Sequence, residues 1–250
     1  MKEYIVESST AAKKSSKERL VYGDKLVFLK DQLPYHFDLQ YVLDTVEGLV
    51  PKWLVNNVDA MYVGSFKAFN DSNTPFNAKY KDGALYITNK QESENDMIDD
   101  IVHEMAHAVE ESYGKDIYFD DVLKDEFLSK RRTLYNLLDQ EGYEPPEDKF
   151  NDPEYDKHLD YYLYNIVGYP LLESLIMGLF YSPYAITSIN EYFANGFENY
   201  FLRDKKYLKN ISPVLYNKIN NIMEEYEMNY SNEGEYRNAY WVFRSVECSN

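Results

Sequence analysis

Two of the chain's four histidines stand four apart in the stretch DDIVHEMAHAVEESYG (residues 99–114), with Glu104 directly after the first. Positions i and i+4 share one face of a helix, so His103 and His107 can each offer an imidazole nitrogen to one zinc ion. Glu104 falls about 100° around the helix from His103. That is where a carboxylate acting as base on water at such an ion belongs. The pattern is short, and two histidines one turn apart on a surface or core face are the plain alternative. A hydrolytic zinc needs a third protein ligand, and neither His36 nor His158 has a supporting pattern around it. Glu191, in SINEYFANGFENYF (188–201), is the strongest carboxylate candidate. Glu191, Asn195 and Glu198 share a face at i, i+4 and i+7, with Phe193, Phe197 and Tyr200 beside them for packing. Ser188 and Glu191 also fit a capping box, so spacing alone leaves Glu191 as either ligand or cap.

The 250-residue chain is 44% hydrophobic, enough to bury a core around these residues. Lys plus Arg number 26 against 43 Asp plus Glu, a net charge of −17. That balance argues against nucleic acid or an anionic membrane as partner and suits a basic peptide or protein surface, although solubility alone also accounts for it. Cys248 is the single cysteine, so there is neither a disulfide framework nor a Cys-based metal cluster. Any metal must be held by His and carboxylates. The first twenty residues carry no apolar run of signal-peptide length, which points to a cytoplasmic site or to release by a non-classical route. The most apolar stretch, IVGYPLLESLIMGLFYSPYAI (166–186), is interrupted by Gly168, Pro170, Glu173 and Pro183. It reads as buried core, with no membrane span.

Residues 1–20 read as a flexible arm, because SSTAAKKSSK has almost nothing to bury. DKLVFL and DAMYVGSF read as strands, and between them FDLQYVLDTVEGLVPKWLV reads as an amphipathic helix capped by Asp38 and ending near Pro51. NDSNTPFN is a loop, and AKYKDGALYIT is a hairpin turning on Asp82-Gly83. The period then changes. Ile101, Val102, Met105, Ala106 and Val109 form a helical stripe through the histidine motif, with Gly114 placed to stop it. DEFLSKRRTLYNLLDQEG predicts a helix closed by Gly142, and further helices are predicted near 154–166, 171–180, 188–203 and 211–227. NAYWVFRSVE resembles a strand or extended segment within a tail over 229–250. Strands first, then helices, with no repeat or linker, predict one α+β domain over about 21–228.

HEMAHAVEESYG followed by EYFANGFENYF resembles the anthrax lethal factor-like metallopeptidases, a family that includes the Pro-Pro endopeptidases and has relatives in toxins and bacteriophage genomes. The resemblance covers mainly residues 55–225 and is concentrated in the two motif helices. It implies a zincin-like fold, with a small N-terminal mixed sheet followed by a mainly helical C-terminal half. It implies that His103, His107 and Glu191 hold Zn2+ and that Glu104 is the base. Glu191, Ala194 and Phe197 match the family's Glu-x-x-Ala-x-x-Phe context. Tyr184, seven residues before Glu191, matches the family tyrosine whose hydroxyl assists the tetrahedral intermediate, and Tyr181 is an alternative donor. Two departures stand out. The 84 residues separating His107 from Glu191 exceed the family's spacing, so an insertion is expected within about 115–170, where it can build or cover a substrate cleft. The family's acidic residue four after the ligand Glu, which orients a zinc-bound His, is here Asn195. An amide accepts that hydrogen bond without adding charge, and Glu198 can substitute in part.

The leading expectation is an active zinc endopeptidase. Zinc would activate water, Glu104 would take its proton and return it to the leaving amine, and Tyr184 would donate to the oxyanion. An extended protein substrate would pair with an edge strand within 77–88. A second reading is a structural or virion-associated protein that keeps the peptidase fold with little or no activity, which Asn195 and the insertion favour. A third is an immunity or inhibitory module whose acidic surface binds a basic protein without zinc.

Overall fold

A computed structural model of the chain describes residues 19–70 and 77–225. Alternating apolar residues before the histidine motif form five short strands, and residues of helical period after it form helices, so the fold is α+β. Strand β1 (Arg19–Val21) turns into β2 (Lys25–Leu29) through Tyr22 and Gly23, both with positive φ. Arg19 and Leu20 therefore belong to the sheet, not to an arm reaching residue 20. The rest of the predicted arm, the centre of the NDSNTPFN loop and the predicted tail lie outside the described residues.

Helix α1 (Leu39–Leu49) carries the chain across to β3 (Ala60–Gly64), which lies parallel to β2. The Asp38 carboxylate caps α1 by accepting the Gln40 and Tyr41 amides, as predicted, and Leu39, Val42, Leu43 and Val46 are buried beneath it. Strands β4 (Ala78–Lys81) and β5 (Ala84–Thr88) form the expected hairpin, with Asp82 and Gly83 at φ 50° and 77°. Two positive φ values in a two-residue loop match the twist of the strands they join. The sheet order β1-β2-β3-β5-β4 leaves β4 on an edge, and that edge lies against the histidine helix.

Helix α2 (Glu94–Tyr118) starts at Ser93, whose hydroxyl accepts the Asp96 amide. It runs past Gly114, contrary to the predicted stop. Ile117 is fully buried and Tyr118 bonds back to Glu110, which outweighs the roughly 1 kcal/mol cost of a helical glycine. Helix α3 (Val122–Gln140) follows and closes at Gly142, φ 86°. The helices predicted near 154–166 and 171–180 are shorter than their apolar content suggests. The first is a turn of α-helix (Lys157–Tyr161) running into a π-helical turn (Tyr162–Val167), and the second spans only Tyr169–Leu175. Gly168, at positive φ, ends the first; the second is capped at Ile176, and Gly178, also at positive φ, turns the chain just beyond it.

Helix α4 (Ile189–Leu202) packs along α2 and carries the second motif. The helix expected over 211–227 is present as α5, from 213 and described as far as 225, and an unpredicted short helix, Lys205–Ile211, precedes it. Ser212 breaks them apart with a non-helical ψ of 64° before Pro213. Glu126 of α3 accepts the Val214 and Leu215 amides at 2.8 and 3.1 Å, capping α5 from another helix. Gly196 lets α4 and α5 touch: a Cβ there would sit 2.2 Å from Leu215 Cδ2. Among the described residues no helix is long and apolar enough to cross a membrane.

Candidate metal centre

His103 and His107 leave α2 one turn apart, their ring centres 5.4 Å from each other. Glu191, in the first turn of α4, reaches both. Its Oε2 lies 3.0 Å from His103 Nε2, and its Oε1 lies 3.8 Å from His107 Nε2. One ligand atom from each of the three residues falls within 4.8 Å of the others, and this is the single such group among the described residues. His36 and His158 take no part in it. Ser188 Oγ accepts the Glu191 amide at 3.1 Å. The cap uses the main chain and leaves the carboxylate for the histidines, so the two readings of Glu191 are compatible.

The distal ring nitrogens are held by different carboxylates. His107 Nδ1 lies 2.7 Å from Glu110 Oε2, and the other Glu110 oxygen accepts from the Asn190 amide at 2.8 Å and from the Tyr118 hydroxyl. Sequence reasoning missed Glu110, although its place three residues after His107 on the same helix is a readable signal. Glu198 Oε2 lies 3.5 Å from His103 Nδ1. Glu198 therefore stands behind His103, where Asn195 was expected. Asn195 instead offers its main-chain carbonyl to the Asn199 side chain at 2.7 Å.

Glu104 is 8% exposed and accepts the Tyr80 main-chain N–H from edge strand β4. The Tyr80 hydroxyl donates to Glu111, so this strand is fastened to α2 at two points. Burial pushes the Glu104 carboxyl up from its ordinary range, while the neighbouring histidines pull it back. Tyr184 sits on a 3-10 turn (Tyr184–Ile186), and its hydroxyl donates to Glu191 Oε1 at 3.5 Å. Burial, followed by the Glu191 charge, pushes its phenol up, so it keeps its proton at neutral pH. Tyr181 turns away and donates to the Asp204 carbonyl at 3.4 Å.

Charge decides what the group can hold. Burial works against imidazolium at His103, yet its hydrogen bonds to the Glu191 and Glu198 carboxylates, with the charges of Glu191 and Glu104, raise its pKa to about 10. His107 is raised as well, by Glu110 and Glu191 acting against burial. Two half-buried imidazoles set among carboxylates attract positive charge, and a metal cation satisfies the same demand. No protein-family model, curated protein or solved structure matches the chain. What the chain does rests on the chemistry of these side chains.

Proposed function

We propose that the chain is a zinc-dependent endopeptidase with a zincin-like arrangement, acting on an extended protein or peptide substrate. The convergence of His103, His107 and Glu191 from two helices, beside the buried carboxylate of Glu104, carries this reading. Two imidazoles and one carboxylate are a hydrolytic zinc set, with room for reactants. When bound, zinc supplies a Lewis acid that polarises water and the scissile carbonyl.

The chain's own residues do the rest. Glu104, with its raised proton affinity, takes the proton from water and delivers it to the leaving amine. Tyr184 holds its proton and donates a hydrogen bond to the developing oxyanion. Glu110 and Glu198 fix the distal nitrogens, so both rings present Nε2. An extended substrate would lie along edge strand β4, where Glu104 already holds the Tyr80 N–H, so pairing would use the strand's other outward main-chain groups, and the net charge of −17 suits a basic one.

Digestion of an unstructured peptide mixture by the wild-type chain and by Glu104→Gln tests the proposal. Cleavage that is lost in the variant while zinc is retained supports it. Zinc in both with cleavage by neither contradicts it and favours a metal-holding protein with a structural role.

A further inference from the structure

Lys130 and Arg131 are neighbours on α3, far from the metal ligands in sequence, and both are buried. Arg131 is 0% exposed, although arginine is almost never fully buried without a paired charge. Its guanidinium instead donates to main-chain carbonyls: Ile186 at 2.8 Å, Thr187 at 2.7 Å, Lys149 at 3.1 Å and Asp152. The Lys130 ammonium donates to the Leu179 carbonyl at 2.8 Å and to Ser212 Oγ at 2.6 Å. It also lies 4.9 Å from the centre of the Tyr192 ring.

These bonds fall at the two ends of one irregular segment. Lys130 takes the carbonyl of Leu179, and Arg131 takes those of Ile186 and Thr187. Tyr184 lies between. Its carbonyl accepts both the Thr187 amide and the Thr187 hydroxyl, at 3.0 and 2.8 Å, so a hold on Thr187 is also a hold on Tyr184. The same guanidinium ties in residues 149–152, and the Pro153 carbonyl accepts the Ile189 amide at 2.8 Å at the start of α4. Buried carbonyls outside helices and strands need donors. An apolar side chain in place of either cation would leave its carbonyls without donors, so the two cations hold the main chain they serve in one place.

We infer that Lys130 and Arg131 form a staple that positions the Tyr184 turn over the metal centre. Both are positioning residues, acting through Tyr184 and not on substrate. The inference rests on the peptidase reading and gives the chain between the two motif helices a purpose: α3 aligns the oxyanion donor.

The test is a double-mutant cycle with Lys130→Met, Tyr184→Phe and the pair, measured by peptide cleavage and zinc content. Lys130→Met is expected to lower kcat roughly ten- to hundredfold with KM and zinc content unchanged. In the Tyr184→Phe background it should add little. A loss that multiplies fully with Tyr184→Phe, or that appears in KM or zinc content, would overturn the inference. Arg131→Lys carries the same comparison should Lys130→Met fail to fold. If the wild-type chain cleaves nothing, the peptidase reading fails by itself, and amide hydrogen exchange then tests the staple. Faster exchange in Lys130→Met over residues 179–188, with 94–118 unchanged, supports it. Equal exchange in both segments refutes it.

Discussion

The two motif helices and the segment between them are organised by opposite means. On α2 and α4, side chains bind side chains: Glu191 meets His103, Glu110 meets His107, and Glu198 approaches His103. Between Val122 and Thr187, two buried cations bind main-chain carbonyls. The first kind of contact demands particular residue types at helical spacing and so leaves a pattern in the sequence. The second demands one cation and accepts any residue whose carbonyl lies in place, so it leaves none. The chemistry of the site comes from the first region, and the placing of Tyr184 comes from the second.

The comparison is sharpest at the carboxylates behind the histidines. Glu110→Gln is expected to weaken zinc binding by roughly ten- to hundredfold. Glu198→Gln should weaken it less, because Glu198 stands 3.5 Å from its histidine against 2.7 Å for Glu110. Competition with a chromophoric chelator ranks the two, and the reverse order would mean that His103 is the more dependent ligand. An effect of similar size is expected from packing. Gly196→Ala forces a Cβ onto Leu215, with a cost of about 1–3 kcal/mol. Urea denaturation reads it, and an unchanged midpoint would show that α5 can move away without loss.

The last effect concerns protons. His103 is raised from 6.5 to about 10, so its pairing with Glu191 and Glu198 contributes stability that is fully present below 6.5 and is lost as pH rises through about 10. Without zinc, the melting temperature should therefore fall across that window. With zinc bound, the imidazoles are already neutral and this fall should disappear. Equal slopes with and without zinc would show that His103 is not where the cation sits.

Much of the fold was legible because its signals are local. Asp38 and Ser188 cap their helices where predicted, and Asp82-Gly83 turns the hairpin. His103, His107 and Glu191 were legible through their spacing together with the family resemblance, and the structure brings them together. Glu110 stands at i+3 from His107, a readable spacing, whereas the family pattern points to position 195. Other features depended on contacts remote in sequence. Gly114 stays helical because of what Ile117 and Tyr118 touch beyond it. Nothing in SKRRTLY marks Lys130 and Arg131 as buried, since their partners are main-chain carbonyls remote in sequence. The break at Ser212 is bound up with the Glu126 cap on α5, which comes from 88 residues away.

The central claim is that one zinc ion is held by two imidazoles and a carboxylate. X-ray absorption at the zinc edge, on the protein loaded with equimolar zinc, tests it most directly, with His103→Ala measured alongside. The account predicts about one tightly held zinc per chain with two imidazoles among nitrogen and oxygen ligands, and loss of tight binding in the variant. Sulfur at the metal, or a spectrum and affinity unchanged by His103→Ala, would contradict it.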